Sequence, residues 1–177
     1  MKKILVVVDM QNDFIDKALG TKEAEAIVDN VVEKIKENKD NFIFATYDTH
    51  KDNYLETLEG KKLPVEHCIY KTKGWEFNEK IEYILETCEH VDRVLKTTFG
   101  YMGWENRIRA LMNLKDIEEI EICGLCTDIC VVSNALILRA IFPNVIIKVD
   151  SKCCAGVTPE THEAALNTMR MCQIDII

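Results

Sequence analysis

The residues from Lys3 to Val8 run Ile, Leu and Val without alternation, the pattern of a parallel strand covered on both faces. The run ends at Asp9, in the sequence DMQNDF. From Thr21 to Lys39 the pattern changes. Ala24, Ile27, Val28, Val31, Val32 and Ile35 recur at helical spacing against a polar opposite face. Asn41 to Tyr47 is a second apolar strand, stopping at Asp48-Thr49-His50. Lys51 to Glu76 is polar and aperiodic, carries Gly60, Pro64 and Gly74, and reads as a long functional loop. Phe77 to Cys88 is helical, Val91 to Leu95 a third strand ending at Lys96, and Thr97 to Gly103 a loop. Trp104 to Leu114 forms a helix that packs Ile108, Leu111 and Met112. A fourth strand, Glu118 to Cys123, breaks at Gly124 and restarts as a helix near Asp128, fed by the apolar run from Ile129 to Ile141. Val145 to Val149 is a fifth strand ending at Asp150. Pro159 to Cys172 is a helix capped by Thr158, and Gln173 to Ile177 a last strand.

Strand and helix alternate throughout, with no repeat and no linker. The expectation is a single α/β domain over residues 1–177, a three-layer doubly wound sheet, mostly parallel, of about six strands with helices on both faces. Ligands of such sheets bind beyond the carboxyl ends of the strands. The residues expected there are Asp9, Asp48, Lys96, Gly124 to Cys130, and Asp150. Neither G-x-G-x-x-G nor a P-loop occurs, so the common phosphate cradles are missing.

Composition narrows the partners. A formal charge of −8 over 177 residues argues against nucleic acid, whose phosphates need a basic face. No segment approaches the roughly 18 consecutive apolar residues of a membrane span. The opening Met-Lys-Lys resembles a secretion signal, but its apolar run is short and Asp9 interrupts it, so a strand is expected. Eight cysteines without an export signal point to free thiols in a reducing cytoplasm. Cys123-x-x-Cys126 has no second C-x-x-C, which speaks against a structural zinc site; Cys153-Cys154 is no better.

The chemistry gathers at the strand ends. With Thr127 or Asp128 as N-cap, Cys130 falls in a first helical turn, where the helix terminus favours a thiolate. The backbone N–H groups from Cys126 to Cys130 would face the same point and hold an anion. The plainer alternative is a buried cysteine acting as a small hydrophobe. Asp9 could take the thiol proton, and Lys96 would hold Asp9 ionised and stabilise the thiolate. An Asp9–Lys96 ion pair that merely fixes loops is the other reading. Asp48-x-His50 with His67 offers a carboxylate and two imidazoles suited to Zn²⁺, Mn²⁺ or Fe²⁺. Surface histidines are the commoner outcome, and His90 and His162 are read that way.

DMQNDF around Asp9, the Lys96 strand end and GLCTDIC around Cys130 resemble the cysteine hydrolases of the isochorismatase-like superfamily, over nearly the whole chain. The loop LPVEHCIYKTKGWEF is similar to the nicotinamidase branch. The resemblance implies a triad of Cys130, Asp9 and Lys96. It implies an oxyanion hole from the backbone N–H of Cys126 and Cys130, with a non-proline cis peptide at Leu125–Cys126. It also implies a divalent metal, zinc first, on Asp48, His50 and His67, receiving the ring nitrogen of nicotinamide, with Phe14 and Tyr101 walling the ring. The expected partner is a small amide, cleaved to acid and ammonia in a homo-oligomer without organic cofactor. Two departures stand out. No histidine occurs from Asp52 to Gly60, and Leu63 and Pro64 stand where many nicotinamidases have tryptophan. Amidohydrolysis of a carbamoyl or ureido compound is the enzymatic alternative, and a non-catalytic thiol sensor the non-enzymatic one.

Overall fold

The structure is a computed structural model and describes residues 2–177. Its frame is one six-stranded sheet of β1 (Lys2–Val8), β2 (Phe42–Asp48), β3 (His90–Lys96), β4 (Ile117–Leu125), β5 (Ile146–Ala155) and β6 (Asp175–Ile176), ordered β3-β2-β1-β4-β5-β6. Every neighbouring pair is parallel. β1 is central because Ile4 to Val8 are buried on both faces, as an unalternating apolar run requires. The chain winds outward from β1 through β2 to β3, then crosses to β4 on the other side. The switch point therefore lies between the ends of β1 and β4, the usual place for a ligand.

Helices α1 (Asn12–Ile15), α2 (Lys22–Glu37), α3 (Leu58–Lys62), α4 (Glu79–Glu86), α5 (Trp104–Leu111), α6 (Val132–Ile141) and α7 (Pro159–Met171) join the strands. α2 packs on β4, β5 and α4; α6 packs on α5, α7 and β5. α2 starts at Thr21, whose side chain accepts from the Ala24 N–H, and lays Ala24, Ile27, Val28, Val31 and Ile35 on the sheet. α7 starts with a reciprocal capping box between Thr158 and Thr161 and a proline in its first turn.

Several expectations needed correction. The segment from Lys51 to Glu76 is not structureless: it holds a 3₁₀ turn at Tyr54–Glu56 and then α3, which Thr57 caps by accepting from Gly60 N–H. The elements are too short for their periodicity to show. α5 ends at Leu111, which is exposed, while Ile108 and Met112 are buried. β4 passes through Gly124 instead of breaking there. Gly124 has φ 116°, and a Cβ at that position would run into the Val8 carbonyl of β1, so glycine lets the two strands close at the switch point. β5 does not end at Asp150 but continues to Ala155. Asp150 lies mid-strand, facing α2, where Lys34 pairs with it at 2.9 Å and with Glu121 at 2.7 Å. It is no part of the strand-end chemistry. The last strand shrinks to two residues because Gln173, at φ 62°, turns the chain after α7.

Candidate active site

Asp9 leaves β1 at φ 49°, a left-handed conformation that aspartate tolerates better than most residues. Its backbone N–H donates to Thr46 (3.2 Å), and the Thr46 hydroxyl donates to Asp9 Oδ1 at 2.6 Å. Two bonds from the neighbouring β2 thus lock a fully buried carboxylate. Lys96 ends β3, with β2 between it and β1. Its long side chain crosses the end of β2 to place Nζ 2.7 Å from Asp9 Oδ2, 3.3 Å from Asp48 Oδ1 and 3.5 Å from Cys130 Sγ. The structure therefore brings together the three residues expected to form a triad.

Cys130 belongs to a π-helical turn, Thr127–Val131, that precedes α6. Such turns recur at functional sites. The Leu125–Cys126 peptide before it is cis. The expected N-caps are otherwise engaged. The Thr127 hydroxyl pairs with His162 Nδ1 at 2.8 Å, and the Asp128 carboxylate accepts from Val157 N–H at 3.0 Å. His162 is thus half-buried and bonded, not a free surface histidine; His90 is exposed and stacks on Phe42. Asn134, fully buried, donates to the Cys130 carbonyl and accepts from Tyr101 N–H and the Trp104 indole, each at 2.8–2.9 Å.

Burial pushes the Cys130 thiol well above its ordinary pKa, the Asp9 carboxylate pushes the same way, and Lys96 opposes both. The expectation of a resting thiolate is corrected: burial and the Asp9 carboxylate outweigh the Lys96 ammonium. Burial also raises Asp9, against the pull of Lys96. Lys96 itself is raised, because Asp9, Cys130 and Asp48 together outweigh its desolvation. The cluster is an ammonium beside an acid–thiol pair placed to exchange one proton.

Next to it, Asp48, His50, Glu59 and His67 each offer one ligand atom, all within 4.8 Å of one another. His50 Nε2 lies 3.0 Å from Asp48 Oδ2, while His67 fixes its ring through Nδ1 on the Val65 carbonyl (2.8 Å) and turns Nε2 toward the group. Two imidazoles and two carboxylates, three of them buried, are a donor set for a divalent ion. Glu59 was missed from sequence. It stands in α3, inside the stretch read as loop, and a helix of five residues leaves no period to point to it. Gln11 and Asp13 were missed too, and they build the frame. Gln11 bonds both the N–H (2.7 Å) and the carbonyl (2.9 Å) of Asp48, and Asp13 accepts from Cys68 N–H at 2.8 Å beside His67. DMQNDF is therefore largely a clamp on Asp48 and on the loop that carries His67.

Both clusters open into one cavity of about 440 Å³, whose walls include Phe14, Leu58, Leu63, Phe99 and Ile129. A larger depression of about 1010 Å³ around Trp75 and Phe77 shares no residue with either cluster and is lined by no cysteine or histidine. Phe14 lines the cavity as expected. Tyr101 does not: its ring packs edge-on against Trp104 at 5.2 Å, and Phe99 occupies the wall instead.

The isochorismatase domain matches residues 3–177. The nicotinamidase of Schizosaccharomyces pombe is 27% identical over 206 aligned positions, covering 98% of this chain and 91% of that protein. Among solved structures, the nicotinamidase/pyrazinamidase of Bacillus subtilis superposes with a TM-score of 0.85 at 24% identity, covering 99% of both chains. The pyrazinamidase of Pyrococcus horikoshii, solved in complex with zinc, superposes with a TM-score of 0.77 at 25% identity, covering 100% of this chain and 99% of that one.

Proposed function

We propose, from the premise that this chain belongs to the isochorismatase domain family, that it hydrolyses a small amide, nicotinamide first, to the acid and ammonia through a thioester on Cys130. The observation that carries the proposal is Cys130, Asp9 and Lys96 in contact at the switch point, on a cavity shared with the Asp48–His50–Glu59–His67 cluster.

Asp9 draws the proton from Cys130 as sulfur attacks the amide carbon, so the buried thiolate forms only as the new bond consumes its charge. Lys96 offsets the negative charge shared between them. The carbonyl oxygen becomes an oxyanion held by the backbone N–H groups of Cys126 and Cys130, a contribution of about 2.7–4 kcal/mol per donor to the transition state. Asp9 hands its proton to the departing nitrogen, releasing ammonia. It then takes a proton from the water that cleaves the thioester, and Cys130 recovers its hydrogen as the acid leaves. A divalent ion, zinc first, on Asp48, His50, Glu59 and His67 would supply a Lewis-acidic anchor for a pyridine ring nitrogen. Phe14 would flank that ring.

The second reading keeps the same thioester chemistry with a carbamoyl or ureido substrate, because Leu63 lines the cavity where a ring-stacking aromatic would otherwise stand. No helix of the described residues is long and apolar enough to cross a membrane, and all eight cysteines are free, which fits a reducing cytoplasm. A homo-oligomer, tested by light scattering, completes the proposal. Ammonia release from nicotinamide, pyrazinamide and a set of carbamoyl and ureido compounds tests it. Turnover of nicotinamide supports the first reading, turnover of the ureido set alone the second, and no ammonia from any of them refutes both.

A further inference from the structure

The geometry points to His162 as a positioning residue that sets the oxyanion-binding turn by gripping Thr127 from α7. The inference rests on the amidase reading above.

Thr127 is fully buried and directly follows Cys126, at the first position of the π turn that carries Cys130. Its hydroxyl has one side-chain partner, His162 Nδ1 at 2.8 Å, thirty-five residues further along the chain. A second tie runs parallel: the Asp128 carboxylate takes the Val157 N–H with both oxygens, at 3.0 and 3.2 Å. Val157 and His162 flank the start of α7, so one helix end holds two successive residues of the turn. The chain entering α7 folds tightly onto His162, since a Cβ at Gly156 would lie 2.9 Å from the Cα and Cβ of His162, and this keeps Val157 and His162 side by side. From the other side Asn134 holds the Cys130 carbonyl. The turn is gripped at Thr127 and Asp128 by α7 and at Cys130 by α6.

Asn134, Ser133 and the sulfur environment belong to the α6 end of the turn; Cys126 and Thr127 belong to the other. Releasing the His162 bond should therefore let the Cys126 end drift while Cys130 stays in place. An oxyanion hole with one donor at each end would lose alignment, whereas thiol reactivity and ground-state binding would not. This separation distinguishes positioning from general support of the fold.

The test compares wild type, His162→Ala, His162→Asn, Thr127→Val and the double variant His162→Ala/Thr127→Val, on the best amide of the panel. Each is measured for kcat, KM, thermal midpoint and the rate of Cys130 alkylation by iodoacetamide. His162→Ala should lower kcat by about tenfold, less than outright removal of an oxyanion donor. KM and alkylation should stay within about twofold. His162→Asn, whose amide can reproduce the Nδ1 contact, should restore most of kcat. Thr127→Val should match His162→Ala, and the double variant should add nothing further, because both remove one bond. Unchanged kcat in His162→Ala overturns the inference. So does a parallel fall of kcat, alkylation rate and thermal midpoint that asparagine fails to reverse, since that marks plain structural support. A wild-type chain that hydrolyses none of the panel refutes the amidase reading first, and the inference with it.

Discussion

Cys130 keeps its proton at rest because burial and the Asp9 carboxylate both oppose a thiolate. Its reactivity depends on a base in contact, and that gives Asp9 two readouts. Asp9→Asn should remove turnover while leaving Lys96 beside an unbalanced thiol. Alkylation of Cys130 in that variant should speed up, because the carboxylate that raised the thiol pKa is gone and Lys96 remains. Slower alkylation in Asp9→Asn would show that Asp9 is needed to deprotonate the thiol even for a soft electrophile. The wild-type pH profile carries the matching sign. Asp9 must be ionised to accept the proton, and burial raises its pKa above 3.8. kcat/KM should therefore fall, as pH drops, with a midpoint above the usual carboxylate range. A midpoint at or below that range would contradict the burial argument.

At the scale of elements, the site is held by strands that meet at special residues. Gly124→Ala would put a Cβ against the Val8 carbonyl at a positive φ, and should destabilise the protein by roughly 3 kcal/mol, read by urea unfolding. A loss below about 0.5 kcal/mol, the scatter of ordinary surface substitutions, would mean that β1 and β4 can part there freely. Lys34 fastens α2 to β4 and β5 through Glu121 and Asp150. Lys34→Met strands two carboxylates and should cost about 3 kcal/mol, the low end for breaking a buried pair, since the lysine is partly solvated. The Lys34 partnership also holds Asp150 below its usual pKa, against the opposing effect of burial. That contribution is present above pH 3.8 and fades as pH falls through the depressed value, so Lys34→Met should flatten the acid limb of the stability curve. An identical acid limb in both proteins would contradict this. The same elements show what a sequence discloses. The unalternating runs of β1 and β2 and the amphipathic α2 were legible because their periods extend over many residues. α3 was not, because one helical turn has no period, and with it Glu59 was lost. Asp150 was misplaced because the end of an apolar run is not the end of a strand: a lysine from another element let the strand continue through a charge.

Over the whole molecule, two clusters face one cavity, and the proposed function gives bond cleavage to one and substrate anchorage to the other. Asp9, Lys96 and Cys130 could be placed from sequence because each closes or follows an apolar strand. Their mutual distances could not, since Lys96 reaches across β2. The division predicts the effect of chelation. Removing a bound ion should raise KM for nicotinamide far more than it changes the alkylation rate of Cys130, and Glu59→Ala and His67→Ala should each lower metal content on elemental analysis. Equal loss of alkylation and affinity would place the ion in the chemical step. The most direct test of the central claim is mass spectrometry of protein quenched with acid during turnover of nicotinamide. The account predicts a nicotinoyl group on the peptide containing Cys130, absent from Cys130→Ala and from protein incubated with nicotinate alone. Ammonia production with no acyl adduct at Cys130, or an adduct on another cysteine, would contradict it.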